Sequence, residues 1–250
     1  KELEDKFKGL SRIKCYLTDD PDGQAVLRKI KAAYTDIETA FVEDSDWENN
    51  WREYYKPIPV GKKLIVVPEW EEIPKGVPLV LDPGLAFGTG SHATTRMCLA
   101  ALEKFSGSGV KVLDLGCGSG ILGIGALILG CDSCFGVDVD PKAPEVVMSN
   151  AALNGIGPDR MKVCAGDIIA DTSLQSYLGS GYQLVLANIV ADVIIPLSAV
   201  VRRFMAENGI FICSGIIEHR WPETEAALKA NGFEILEHSS EEEWHCFVCR

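Results

Sequence analysis

From Lys63 onward the chain alternates between two hydrophobic rhythms. Short runs of apolar and β-branched residues mark strands over Lys63–Val67, Val77–Leu81, Val110–Leu115, Ser133–Val139, Met161–Ala165, Leu184–Asn188 and Gly209–Ser214. Such runs show little apolar/polar alternation, as strands covered on both faces require. Between them, apolar residues recur at helical spacing over Ala93–Phe105, Ile121–Leu129, Ala143–Asn154, Ser173–Leu178, Val193–Met205 and Pro222–Asn231. Two further strands, Phe233–His238 and Glu243–Cys249, follow. Strands alternating with helices predict a doubly wound α/β fold, a mostly parallel sheet with helices on both faces.

The first part of the chain has a different texture. Residues 1–45 are charge-rich, with a strand expected over Arg12–Leu17, a turn at Pro21-Asp22-Gly23, a helix over Gln24–Tyr34 and a strand over Ile37–Glu43. That is too little apolar surface for a core of its own. The segment is therefore read as part of a small α+β domain, its opening incomplete. A helix is expected over Asp46–Lys56, capped by Asp46 and stopped by Pro57 and Pro59. Its aromatics Trp47, Trp51, Tyr54 and Tyr55 recur at helical spacing as a packing stripe. The chain thus divides into 1–45, a linker helix 46–57 and an α/β domain 58–250.

Composition narrows the setting. Apolar residues make up 47% of the 250, enough for a full core, and no low-complexity segment or internal repeat is visible. The longest apolar run, Ile121–Leu129, is interrupted by Gly123 and Gly125 and falls far short of the ~20 residues that cross a bilayer. With a charged N-terminus and no signal-peptide core, the expected setting is the cytoplasm, away from membranes. Nine cysteines form no paired metal-binding pattern and the four histidines (His92, His219, His238 and His245) are scattered, so no metal site is expected. A net charge of −12 tells against phosphate contacts with nucleic acid and suits a basic partner. Nothing in the pattern demands an oligomer, and a monomer is expected.

Chemistry concentrates where strands end. Val112-Leu113-Asp114-Leu115 runs into Gly116-Cys117-Gly118-Ser119-Gly120, a glycine-rich turn opening a helix. Glycines there let the backbone turn tightly and approach a ligand. Asp138 ends the next strand, 22 residues after Gly116, where a carboxylate can accept both hydroxyls of a ribose. The spacing is Gly-x-Gly-x-Gly rather than Gly-x-Gly-x-x-Gly, which tells against a dinucleotide and an oxidoreductase.

This turn, with Asp114 before it, resembles motif I of the class I S-adenosylmethionine-dependent methyltransferases. In that superfamily it borders the methionine part of the cofactor; Asp138 matches the ribose acid, and Gly166-Asp167 the acid near the adenine amino group. Two more stretches narrow the resemblance: Leu81-Asp82-Pro83-Gly84-Leu85-Ala86-Phe87-Gly88-Thr89-Gly90-Ser91-His92-Ala93-Thr94-Thr95 and Leu186-Ala187-Asn188-Ile189. With Gly215-Ile216-Ile217 and Glu242-Glu243-Trp244, they resemble the bacterial methyltransferases of large-subunit ribosomal protein eleven, the PrmA type, from about Asp46 to the last residue.

The resemblance implies a seven-stranded Rossmann-like methyltransferase sheet and S-adenosyl-L-methionine as cofactor. The cofactor residues it implies are Phe87, Gly88, Thr89, Gly90, Thr95, Asp114, Gly116, Gly118, Asp138, Asp167 and Asn188. Phe87, Gly88 and Gly90 would belong to a closing loop, and Asn188 would also face the reaction as the catalytic residue. It further implies a basic large-subunit ribosomal protein as substrate, methylated on lysine ε-amino and N-terminal α-amino groups. In the family a small N-terminal domain on a linker helix grips that substrate; residues 1–45 match its later part. His92 is balanced between capping its helix and facing the site. Glutamine and nucleic-acid methyltransferases carry Asn-Pro-Pro-Tyr after the fourth strand; Asn188-Ile189-Val190-Ala191 lacks that clamp for a planar group. Another protein or small amine as acceptor, and a cofactor-binding module without catalysis, stay open as alternatives.

Overall fold

The computed structural model describes residues 15, 17–34, 37–39, 55–83 and 90–250. The chain divides into two units, 1–53 and 54–250. In the first unit the expected helix is present as α1, Pro21–Ala33. Its start lies three residues earlier than the apolar spacing suggests. Asp20 sets it, its side chain accepting from Gly23 N at 2.8 Å while Pro21 supplies a preset φ at the first position. The strands expected over 12–17 and 37–43 and the linker helix over 46–56 fall mostly outside the described residues. Their described members, 15, 17, 37–39, 55 and 56, carry no regular structure.

The second unit is built on a seven-stranded sheet. Its strands are β4 (Lys111–Leu115), β5 (Ser133–Asp138), β6 (Met161–Ala165), β7 (Tyr182–Asn188), β8 (Met205–Ile217), β9 (Ile235–Glu241) and β10 (Trp244–Cys249). They lie in the order β6-β5-β4-β7-β8-β10-β9. The first five are parallel, and β10 runs antiparallel to both β8 and β9. Three other strands, β1 (Ile58–Val60), β2 (Leu64–Pro68) and β3 (Val77–Leu81), make a separate sheet in that order.

The two-residue period of each strand divides the core in two. Leu184, Leu186, Ile212, Cys246 and Val248 face a cluster shared with α2 (Ala93–Phe105), α3 (Ile121–Ile128) and α4 (Ala143–Leu153). Val185, Ala187, Phe211, Cys213, Phe247 and Cys249 face the other, shared with α5 (Thr172–Leu178), α6 (Ala191–Ser198) and α7 (Trp221–Ala230). Burial on both faces is why these strands read as continuous apolar runs. Leu64, Val66, Leu79 and Leu81 of the small sheet join the first cluster. Glu103 on α2 pins its first turn by accepting from the N–H groups of Lys62, Lys63 and Leu64.

Two expectations are corrected. The helix expected over Val193–Met205 is α6, which begins at Ala191 and ends at Ser198, followed by a 3₁₀ turn at Val201–Arg203. Pro196 has no N–H for the α ladder. Past it the chain tightens into i→i−3 bonds, Ala199 N to Pro196 O and Val200 N to Leu197 O. Strand β8 then starts at Met205 rather than Gly209 and runs to Ile217 rather than Ser214. The pattern also missed β1, because Pro57 and Pro59 read as breakers. Pro59 is tolerated because β1 is an edge strand paired with β2 alone.

Candidate functional site

The site lies at the carboxyl ends of β4, β5 and β7, where the strand order reverses and a doubly wound sheet leaves a crevice. The glycine-rich turn leaves β4 with φ of +70° at Gly116, +51° at Gly118 and +80° at Gly120, a region that favours glycine. Gly116 N and Cys117 N both donate to Val137 O, at 2.7 and 3.2 Å, and Gly120 N donates to Cys117 O at 2.7 Å. Backbone bonds thus tie the turn to the end of β5.

Two carboxylates brace it. Asp138 accepts from Gly118 N at 2.8 Å through one oxygen and from Asp140 N at 3.0 Å through the other. Each carboxylate oxygen has two acceptor positions, so both keep capacity for a further donor. Asp114 lies beneath, 1% exposed, and its Oδ2 accepts from Gly123 N at 2.9 Å. Gly120, the N-cap of α3, has no side chain to offer, and Asp114 supplies the missing cap from the preceding strand. Burial pushes the Asp114 carboxyl up to about 7, against the lowering bond from Gly123 and with the charge of Asp138.

Asn188 ends β7 and donates through Nδ2 to Thr95 Oγ1 at 3.2 Å. The bond joins strand and α2 across 93 residues of sequence. Ile189 follows, clamped between two glycines. A Cβ on Gly116 would stand 2.5 Å from Ile189 Cγ2, and one on Gly215, at φ +87°, 2.5 Å from Ile189 O. Both glycines make room for this exit turn, which Ile189 N closes by donating to Ser214 O at 3.1 Å.

The structure brings Thr95, Asp114, Gly116, Gly118, Asp138 and Asn188 to one end of the sheet. Asp167 stands exposed at the end of β6, one oxygen accepting from Ile169 N at 2.8 Å and Ala170 N at 3.1 Å. It therefore caps its own turn, whatever else it faces. Gly90 is buried at φ +85°, where a Cβ would meet Val66 at 2.8 Å. Phe87, Gly88 and Thr89 lie outside the described residues. His92 takes the capping role: it is the N-cap of α2, accepting from Thr94 N, and its ring meets the edge of Trp244 at 4.8 Å. Among the described residues no group of three or more His, Cys, Asp or Glu side chains could hold a metal ion, and no helix is long and apolar enough to cross a membrane.

Sequence reasoning missed the Ile189 clamp and a buried amide, Asn150, below the glycine-rich turn. The second left a signal: Asn150 stands beside Val146, Val147 and Ala151 on the apolar face of α4.

Comparison with known proteins is consistent along the whole chain. A family model described as ribosomal protein L11 methyltransferase (PrmA) matches residues 2–250. It thus takes in residues 2–45 as well as the stretch whose motifs carried the resemblance. A ribosomal protein L11 methyltransferase of Clostridium botulinum is 38% identical over 253 aligned residues, 95% of this chain and 78% of that one. Its counterpart in Thermoanaerobacter pseudethanolicus is 40% identical over 218 residues, 86% of this chain and 68% of that one. Among solved structures, ribosomal protein L11 methylase from Lactobacillus delbrueckii subsp. bulgaricus superposes with a TM-score of 0.71 at 32% identity. The superposition covers 78% of this chain and 98% of that one.

Proposed function

The chain belongs to the ribosomal protein L11 methyltransferase family, and from that premise we propose that it methylates lysine ε-amino groups and an N-terminal α-amino group of ribosomal protein L11, with Asn188 holding the acceptor. It is an S-adenosylmethionine-dependent protein methyltransferase. The site suits that cofactor. The Gly116–Gly120 turn offers close backbone approach, Asp138 keeps acceptor capacity for a ribose diol, and the exposed side chain of Val139 follows it as an apolar wall.

The bound cofactor supplies an electrophilic methyl group on a sulfonium. The chain's own part is placement: an amine must meet that methyl in line and at close range. With Nδ2 donating to Thr95, the role assigned to the Asn188 carbonyl oxygen is to accept from the incoming amine. An ammonium has no lone pair, so a proton must leave first. Apolar surroundings lower an amine's affinity for that proton, and Ile189 and the exposed Val190 place such a surface directly after Asn188. A net charge of −12 favours approach of a basic substrate. Residues 1–45 are assigned to gripping that substrate, and the enzyme acts as a monomer.

The observation that carries the role of Asn188 is its bond to Thr95. The test is incubation with methyl-labelled S-adenosylmethionine and unmethylated L11, with label located by mass spectrometry. Methyls on lysine and the N-terminus are expected. Asn188→Ala should lose about 100-fold in turnover while still binding S-adenosylhomocysteine. Unchanged turnover in that variant overturns the role of Asn188, and label on another side-chain type overturns the amine assignment.

A further inference from the structure

Asn150 has no exposed surface. A primary amide taken wholly out of water must find partners for its oxygen and its nitrogen, and Asn150 finds them in two segments far apart in sequence. Its Nδ2 donates to Ser119 O, 2.9 Å away inside the glycine-rich turn. Its Oδ1 accepts from Asp82 N, 3.0 Å away and one residue past β3. Asn154, four residues on at the C-cap of α4, has the same chemistry with a shorter reach: Val80 N donates to its Oδ1 at 2.8 Å, and its Nδ2 donates to Val80 O at 2.7 Å. Both amides tie α4 to the end of β3. Asn150 also grips the turn.

The two segments it joins do different work. Ser119 lies between Gly118, whose N–H holds Asp138, and Gly120, which opens α3. Asp82 begins the segment that leads through Gly90 and His92 to Thr95, the partner of Asn188. We infer that Asn150 is a positioning residue for methyl transfer: it sets the cofactor-holding turn against the segment that leads to the acceptor side, acting through Ser119 and Asp82. This rests on the reading of the glycine-rich turn as the cofactor's seat. Ser119 is 2% exposed, so losing the Asn150 donor removes a bond that water cannot readily replace.

The test compares Asn150→Ala with Asn154→Ala in the full chain, measuring thermal stability, calorimetric binding of S-adenosylhomocysteine, and kcat and KM for both substrates. Both variants should lose stability. Asn150→Ala should weaken S-adenosylhomocysteine binding about tenfold and lower kcat, whereas Asn154→Ala should bind within about twofold of the parent. Equal effects of the two variants on binding, or no effect of Asn150→Ala, overturn the inference. A parent chain that fails to bind S-adenosylhomocysteine overturns the cofactor reading itself. Should Asn150→Ala not fold, Asn150→Asp carries the test. Its protonated carboxyl can both donate to Ser119 O and accept from Asp82 N, and its ionised form cannot donate. Binding by that variant should tighten relative to the parent as pH falls; a pH-independent ratio overturns the inference.

Discussion

Replacing Asp114 by asparagine measures what a buried carboxylate costs this fold. Asp114 is 1% exposed and meets Gly123 N at 2.9 Å. Burial, opposed by that bond and reinforced by Asp138, lifts its carboxyl from 3.8 to about 7. The folded chain therefore keeps a proton that the unfolded chain gives up near pH 4. Wherever the folded state holds more protons, stability falls as pH rises. The Asp114 contribution is thus complete below about pH 4, declines through about pH 7 and is lost above it. At about 1.36 kcal/mol per unit the whole decline is about 4 kcal/mol, of which roughly 2–3 kcal/mol falls between about pH 5 and pH 8. Asparagine has nearly the same shape, keeps an acceptor for Gly123 N and has no proton to lose. Urea denaturation of parent and Asp114→Asn at several pH values reads the difference directly. Between about pH 5 and pH 8 it should move by roughly 2–3 kcal/mol in favour of the variant. A difference constant within about 0.5 kcal/mol would mean that Asp114 titrates alike in both states, and the reasoning fails.

Three other outcomes follow from the same geometry. Gly116→Ala forces a side chain to φ +70° and drives its Cβ against Ile189. It should cost roughly 1–3 kcal/mol in urea melts and impair S-adenosylhomocysteine binding in calorimetry; normal binding would show that Ile189 yields. Glu103→Ala strips the acceptor from three backbone N–H groups and, water taking over part of the loss, should cost about 1–2 kcal/mol in thermal denaturation; no change would mean that the β1–β2 turn holds itself. Burial, and then the facing His245, hold His238 below its usual 6.5. Its contribution is therefore present above pH 6.5 and lost as pH falls below it, so His238→Gln should flatten the acid side of the stability profile.

The sheet was legible because doubly buried strands leave unbroken apolar runs, and the glycine-rich turn because a close backbone approach leaves glycines at a strand end. Where the reading slipped, a local signal had two meanings. Proline marked a stop before β1, yet an edge strand tolerates it at Pro59. The apolar spacing after Ala191 continued past the point where Pro196 breaks the ladder. At Asp114 the motif points to a residue beside the cofactor, and the structure adds a second role that no motif carries: its oxygen caps a helix with a glycine at its N-cap. The clamp on Ile189 draws on Gly116 and Gly215, about a hundred positions apart, and no local pattern carries that information.

The sheet order has a consequence for synthesis. Strand β10 enters between β8 and β9, both of which precede it in the chain. As the polypeptide emerges from the ribosome, β8 keeps an open edge until residues 244–249 have followed. That edge is long, with Phe211, Ile212 and Cys213 in its middle, all without exposed surface in the finished fold. A nascent chain stalled between β9 and β10 would present a ladder of unpaired amides beside apolar side chains, the combination that invites pairing with another chain. Cleavage just before Trp244, followed by loss of the freed strand, would recreate the same hazard in a mature molecule.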